Sequence, residues 1–184
     1  MIHSALKLTL LVSLIISGYL HGEINIPENA PTPGEKELFE LINEYRKNLN
    51  LPAVPFSKAL NKVAQAHARD LMENYSQSNR CNMHSWSGKG PWSACCYTDN
   101  HKRANCMWDK PKEIAGYDSP GYEVAYWHSA MATPATALEV WKKSPGHNAV
   151  LANIGPFKQA TWKAMGVGIY KQYAVVWFGE MEDI

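Results

Sequence analysis

Between Asn79 and about Ser129 the sequence loses its periodicity, and all four cysteines of the chain fall inside that interval. A stretch this long without secondary-structure signals is uncommon inside a compact domain unless it is functional or cross-linked. Regular patterns stand on both sides of it. Thr32, Pro33 and Glu35 form a capping-box signature, and Leu38, Leu41, Ile42, Tyr45 and Leu49 then recur at helical spacing. A second helix is expected from Ser57, with Leu60, Val63, Ala64, His67 and Leu71 on one face. After the irregular interval, Thr133–Pro134 and Ser144–Pro145 repeat the cap-then-proline signature ahead of two short helices. The closing segment "MGVGIYKQYAVVWFGE" reads as two strands joined around Lys171 and Gln172. Helices, an irregular half, helices again and a strand pair do not make alternating βαβ units. The pattern predicts an α+β fold with helices packed on a small antiparallel sheet.

The cysteines are Cys81, Cys95, Cys96 and Cys106. A bond between adjacent Cys95 and Cys96 would strain the backbone, so each is expected to pair with Cys81 or Cys106, which leaves two pairings open. Zinc sites favour C-x(2–4)-C pairs, and none is present. Disulfides need an oxidising compartment, and the N-terminus supplies the route to one. "MIHSALKLTLLVSLIISGYLHG" carries one lysine and then an apolar run from Leu8 to Ile16, too short to span a bilayer and of signal-peptide length. The expected organisation is a signal peptide over 1–22, a Pro-rich lead-in over 23–33 and a single domain over 34–184. The chain is therefore expected to be secreted, extracellular or periplasmic, with no membrane span in the mature form. Its near-neutral balance, 18 basic against 17 acidic side chains, gives no basic stripe for nucleic acid.

Three residues stand out chemically. His147 would be the third residue of a helix opened by Ser144, where the positive end of the helix dipole disfavours imidazolium and keeps a lone pair free. The alternative is a surface histidine near a cap, and spacing alone does not separate the two. His84, in "CNMHSWSG", sits close to a cysteine that would pin its backbone. Glu123, in "SPGYEVAYW", is a lone acid among apolar residues, which predicts burial and a partner. Two histidines and a carboxylate can hold a divalent ion, zinc or another, or can form a hydrogen-bonded cluster without one. His67, inside an apolar stripe, reads as a satisfied core histidine.

The segments "INEYRKNLNLPAVPFSKALNKVAQAHARDL", "HSW", "GYEVAYW", "VWKKSPGHNAVL" and "MGVGIY", in that order, resemble the CAP superfamily of cysteine-rich secretory, antigen 5 and pathogenesis-related class one proteins. The resemblance covers about residues 35 to 180. It implies an α-β-α sandwich with a central groove lined by two histidines and usually two glutamates, able to hold zinc or another divalent ion. By motif, His147 matches the histidine of the family's "GH", His84 the earlier histidine and Glu123 the acid of "GEN", here without the asparagine. The second glutamate has no match: Ser144 stands at its place, and Glu139 is not taken as a substitute. The resemblance leaves His67 structural, and His101 and His128 without motif support as loop residues. Tyr126 and Trp127 would either wall the groove or pack in the core. "CCYTDNHKRANCMWDKP" departs from the family pattern and leaves groove access open.

On this resemblance the expected role is an extracellular binding or effector module, with a protein, lipid or cell-surface component as partner, and not an enzyme. A hydrolase built on Ser144, His147 and Glu123, or on a metal-activated water at His84 and His147, is one alternative. A serine whose oxygen caps a helix is a poor nucleophile, which counts against the first version. A sterol or lipid carrier is the other alternative.

Overall fold

The computed structural model describes residues 29–76 and 80–183. The expected signal peptide over 1–22 lies outside them. The regular elements are helices α1 (Pro33–Asn48), α2 (Lys58–Asn74), α3 (Asn105–Trp108) and α4 (Lys110–Ala115), strand β1 (Gly121–Trp127), helices α5 (Pro134–Lys143) and α6 (Pro145–Leu151), and strands β2 (Ala164–Tyr170) and β3 (Tyr173–Gly179), with a short 3-10 turn at Gly155–Phe157.

The sheet is antiparallel with strand order β1-β3-β2, so the terminal hairpin read from the sequence acquires a third strand from the irregular interval. Central β3 has both faces covered. Ala174, Val176 and Phe178 join one core with Leu38 and Ile42 of α1 and Leu138 and Trp141 of α5. Tyr173, Val175 and Trp177 join the other with Leu60, Val63, Ala64 and Leu71 of α2. The period of two therefore sorts β3 between two helical layers, which is the expected α-β-α sandwich.

Helix α2 lies directly on β2. A Cβ added to Gly166 would fall 2.1 Å from the backbone of Leu60 and Asn61, and one on Gly168 would fall 2.2 Å from Ala64. Only glycine permits that approach. The outer edge of β2 is closed by three separate acceptors: Pro55 O takes the Met165 N–H at 2.9 Å, Asn61 Oδ1 that of Val167 at 3.3 Å, and Glu35 Oε1 that of Ile169 at 3.0 Å. Glu35 is also the capping-box residue of α1, accepting from Thr32 N at 2.8 Å. One buried carboxylate thus caps a helix and blunts a sheet edge.

The disulfides are Cys81–Cys96 and Cys95–Cys106, one of the two pairings the sequence leaves open. They fold the irregular interval back on itself. Trp86 and Cys95 exchange backbone hydrogen bonds at 2.8 and 3.0 Å, and Cys106 stands in α3.

Candidate functional site

Three elements from different layers meet at one end of the sheet. β1 supplies Glu123 and Tyr122, whose side chains point to opposite faces of the sheet. A groove of about 1140 Å³ is lined by both of them, so it wraps around the exposed edge of β1 and does not sit on either face. From the α2 side comes His84, held in a turn in which its N–H donates to Asn82 Oδ1 at 3.1 Å, while Asn82 N–H donates to Tyr97 O at 2.8 Å. The neighbouring Cys81–Cys96 bridge fixes this turn from the other side. From the opposite layer comes His147, third residue of α6. Helix α6 is tied to α1 by Tyr45 Oη, which donates to Asn148 Oδ1 at 2.8 Å, and by buried Arg46, which donates to Leu151 O and Asn153 Oδ1 at 2.7 Å each.

The structure brings His84, Glu123 and His147 together. The Glu123 side chain is fully buried, and both of its oxygens are engaged: Oε2 lies 2.7 Å from His84 Nδ1, and Oε1 contacts His67 Nδ1. Burial pushes the Glu123 carboxyl up, but the charge on His67 and the hydrogen bonds from both imidazoles outweigh it, and the net shift is downward. The His84 and His147 rings face each other with centroids 6.4 Å apart. Burial first, and then the charge on His84, push the His147 pKa down to about 4, with Glu123 opposing only in part. His147 is therefore neutral at physiological pH, as its helix position predicts. Its Nδ1 is buried and has no hydrogen-bond partner among the described residues.

Several expectations change. His67 is a satisfied, fully buried core histidine, but the partner that satisfies it is Glu123, which makes it part of the site. Its position inside an apolar helical stripe signalled that a buried ring needed two partners; what they were lay far away in sequence. His101 is more than a loop residue: it lines the groove, and its Nδ1 lies 2.8 Å from Tyr97 Oη. Ser144 occupies the N-cap position of α6, but its side chain makes no capping bond, so the argument that capping disables it as a nucleophile does not hold. Among the described residues Ser144 makes no hydrogen bond to His147 either, and the two are not a preassembled nucleophile and base. Tyr126 and Trp127 do not wall the groove: Tyr126 packs in the α1-side core, and Trp127 is half-exposed at the end of β1. Glu139 pairs with Lys142 on the surface at 2.6 Å.

Away from the histidines the groove has a broad apolar part, and Asp99, Gln159 and Glu180 line it as well. Met107 and Trp108 of α3, Tyr122, Val150 and Phe157 form its walls, with Tyr122 edge-on to Phe157 at 5.4 Å. The sequence left the effect of the cysteine-rich segment on groove access open; the structure makes that segment one wall.

Among the described residues no group of three or more His, Cys, Asp or Glu side chains is placed to hold a metal ion. Glu123 cannot serve as a third donor while both oxygens are bound to imidazoles. What remains is a pair: His84, whose Nδ1 faces Glu123, and neutral His147 with an unpartnered ring nitrogen. These two histidines are the residues that could hold an ion, and Glu123 would then orient His84 without being a ligand itself.

The chain matches the CAP family, described as the cysteine-rich secretory protein family, over residues 39–178. No curated protein matches it. Among solved structures it is similar to an extracellular protein containing an SCP domain from Bacillus anthracis, at 22% identity and a TM-score of 0.57 over 80% of this chain and 40% of that one. It is also similar to an outer surface protein of Borrelia burgdorferi, at 20% identity and 0.54 over 83% of this chain and 96% of that one. A cysteine-rich secretory protein of Staphylococcus aureus gives 17% and 0.51 over 80% of this chain and 38% of that one. The chain thus spans well under half the length of two of these three proteins.

Proposed function

Because the chain belongs to the CAP family of cysteine-rich secretory proteins, we propose that it is an extracellular binding module whose groove takes an amphipathic small molecule. The polar group of the ligand rests at His84 and His147, and its apolar body lies against Met107, Trp108, Tyr122 and Phe157. The observation that carries this reading is one large groove in which the His84–His147 pair stands beside a wall of Met107, Trp108, Tyr122 and Phe157, with Asp99, Gln159 and Glu180 as further polar lining. The apolar run from Leu8 to Ile16, of signal-peptide length, the two disulfides and the extracellular and outer-surface names of structurally similar proteins support the location.

Zinc or another divalent ion would be held by His84 and His147, with Glu123 behind His84. When bound, such an ion would supply a fixed positive charge for a ligand oxygen. The chain's own residues do the remaining work. Glu123 holds the His84 ring in place, Arg46 and Tyr45 hold the helix that carries His147, and the disulfide-braced α3 presents the apolar wall.

Native mass spectrometry of the chain purified without chelator tests both halves at once. The expected spectrum carries one apolar small molecule per chain, lost in Ala160→Trp, which adds an indole at a half-buried groove position. A divalent ion is expected as a separate mass, lost in the His84→Ala/His147→Ala double variant. A chain that carries no small molecule in the native state or after incubation with long-chain alcohols and acids contradicts the binding reading.

A further inference from the structure

The contact between His67 and Glu123 contains a proton whose consequences reach the groove. His67 Nε2 lies 2.9 Å from the carbonyl oxygen of Ser85. A carbonyl only accepts, so Nε2 must carry hydrogen. The other ring nitrogen, Nδ1, faces Glu123 Oε1 inside a site closed to solvent. A bare nitrogen lone pair against a carboxylate oxygen repels, so a second proton lies between Nδ1 and Oε1. Whether it sits on the ring or on the carboxyl, Oε1 is committed to His67.

This leaves Oε2 as an acceptor, and the atom facing it at 2.7 Å is His84 Nδ1. The opposite arrangement, a proton on Oε2 donating to His84, would leave His67 as a fully buried cation beside a neutral acid, an uncompensated charge in a site closed to water. His84 Nδ1 therefore donates. The second nitrogen of His84, Nε2, makes no hydrogen bond to any described residue, and His84 is a groove-lining residue with a partly exposed side chain. Three further observations show that the arrangement is built. His67 stacks on Trp86 with centroids 4.0 Å apart and planes 8° from parallel. Ser85, which gives the carbonyl, is itself fixed by Tyr97 N–H donating to its Oγ at 2.9 Å. And Ser85 directly follows His84, so the reading histidine and the carbonyl that sets it belong to one turn.

We infer that His67 is a positioning residue that fixes the tautomer of the neutral His84 ring: a chain of hydrogen bonds from Ser85 O through His67 and Glu123 holds the hydrogen on Nδ1 and leaves Nε2 as the acceptor toward the groove. The consequence is a statement about ligand chemistry. A neutral His84 could otherwise present either a donor or an acceptor. Fixed in this way, it takes a ligand that brings a hydrogen-bond donor, such as a hydroxyl, or a cation, and it does not pair with a bare carboxylate. The inference rests on the binding reading only for the use made of Nε2; the tautomer itself is read without any ligand.

Nitrogen-15 correlation spectra of the histidine side chains, recorded on the folded metal-free chain at neutral pH, give the tautomer directly. For the wild type, His84 is expected with a pyrrole-like Nδ1 and a pyridine-like Nε2; a protonated Nε2 overturns the proposal without recourse to any variant. His67→Phe keeps the stack on Trp86 and removes both hydrogen bonds, and the His84 Nε2 resonance is expected to shift toward the value averaged over both tautomers. His67→Asn puts an amide donor where Nδ1 stood and is expected to restore the wild-type signal. If Phe leaves the His84 signal unchanged in a folded chain, or if Asn fails to restore it, His67 only fills space. Where neither variant folds, the wild-type His67 resonances decide: a protonated Nε2 and a proton shared between Nδ1 and Glu123 are expected, and a bare Nδ1 overturns the proposal. Loss of ligand binding with an intact His84 signal would count against the groove reading and leave the tautomer assignment standing.

Discussion

His147 shows how much a single position can set. Its place in the first turn of a helix predicts a neutral ring, and the fold adds burial to that local field. The group is an ordinary imidazole near 6.5 in the unfolded chain, and about 4 in the folded one. Between those values the unfolded state binds a proton that the folded state refuses. Stability is therefore fully present above pH 6.5 and falls as pH drops toward about 4, by an amount on the order of 3 kcal/mol at the acid end. Urea unfolding at a series of pH values, with chelator present, measures it. His147→Asn is expected to flatten the wild-type loss over that window, and equal slopes in the two proteins would contradict the burial argument. Glu123 makes a different point. Its isolation among apolar neighbours was legible as a need for a partner. That it has two, on opposite sides, was not, because His67 and His84 lie 56 and 39 residues away. Local sequence carries caps and burial; it does not carry who meets whom across layers.

At the level of elements the same division holds. The starts of α1, α2, α5 and α6 were readable because a hydroxyl before a proline, or before a helical apolar pattern, is a local signal, and the terminal hairpin was readable from its alternation. β1 escaped because it lies in the aperiodic interval and is buried on both faces over Glu123–Tyr126, so no alternation of polar and apolar residues marks it. The short α3 and α4 escaped for want of length. Arg46 is the element-scale counterpart of Glu123: a guanidinium inside the protein, its pKa lowered to about 10 by burial, with three carbonyl-type acceptors, Pro52 O, Leu151 O and Asn153 Oδ1. It joins the end of α1 to the end of α6. Arg46→Met is expected to destabilise the chain by about 2–4 kcal/mol in urea titration, since it leaves buried carbonyls unpaired. Lys62→Met, at an exposed position of α2, should change stability by less than about 0.5 kcal/mol. Equal effects would mean that α6, and His147 with it, is not held from α1.

Across the whole molecule, a three-stranded sheet between two helical layers leaves one strand edge open, and the site forms where that edge is exposed. One histidine comes from each layer, the carboxylate comes from the strand between them, and the disulfide-braced segment closes the side that would otherwise be solvent. The sandwich and the identities of His84, Glu123 and His147 followed from the ordered motifs of a family resemblance. The groove's apolar wall did not, because it is made by Met107 and Trp108 in a segment that departs from the family pattern. The central claim is that this groove binds one molecule through a polar pole and an apolar wall together. Fluorescence titration with a dansyl-labelled long-chain alcohol tests it most directly. The account predicts saturable one-to-one binding, weakened about tenfold or more, some 1.4 kcal/mol each, by His147→Ala at the pole and by Trp108→Ala at the wall. Met131→Ala, an exposed position outside the groove, should leave it unchanged. Absence of saturable binding, or binding that Ala160→Trp leaves intact, would contradict it.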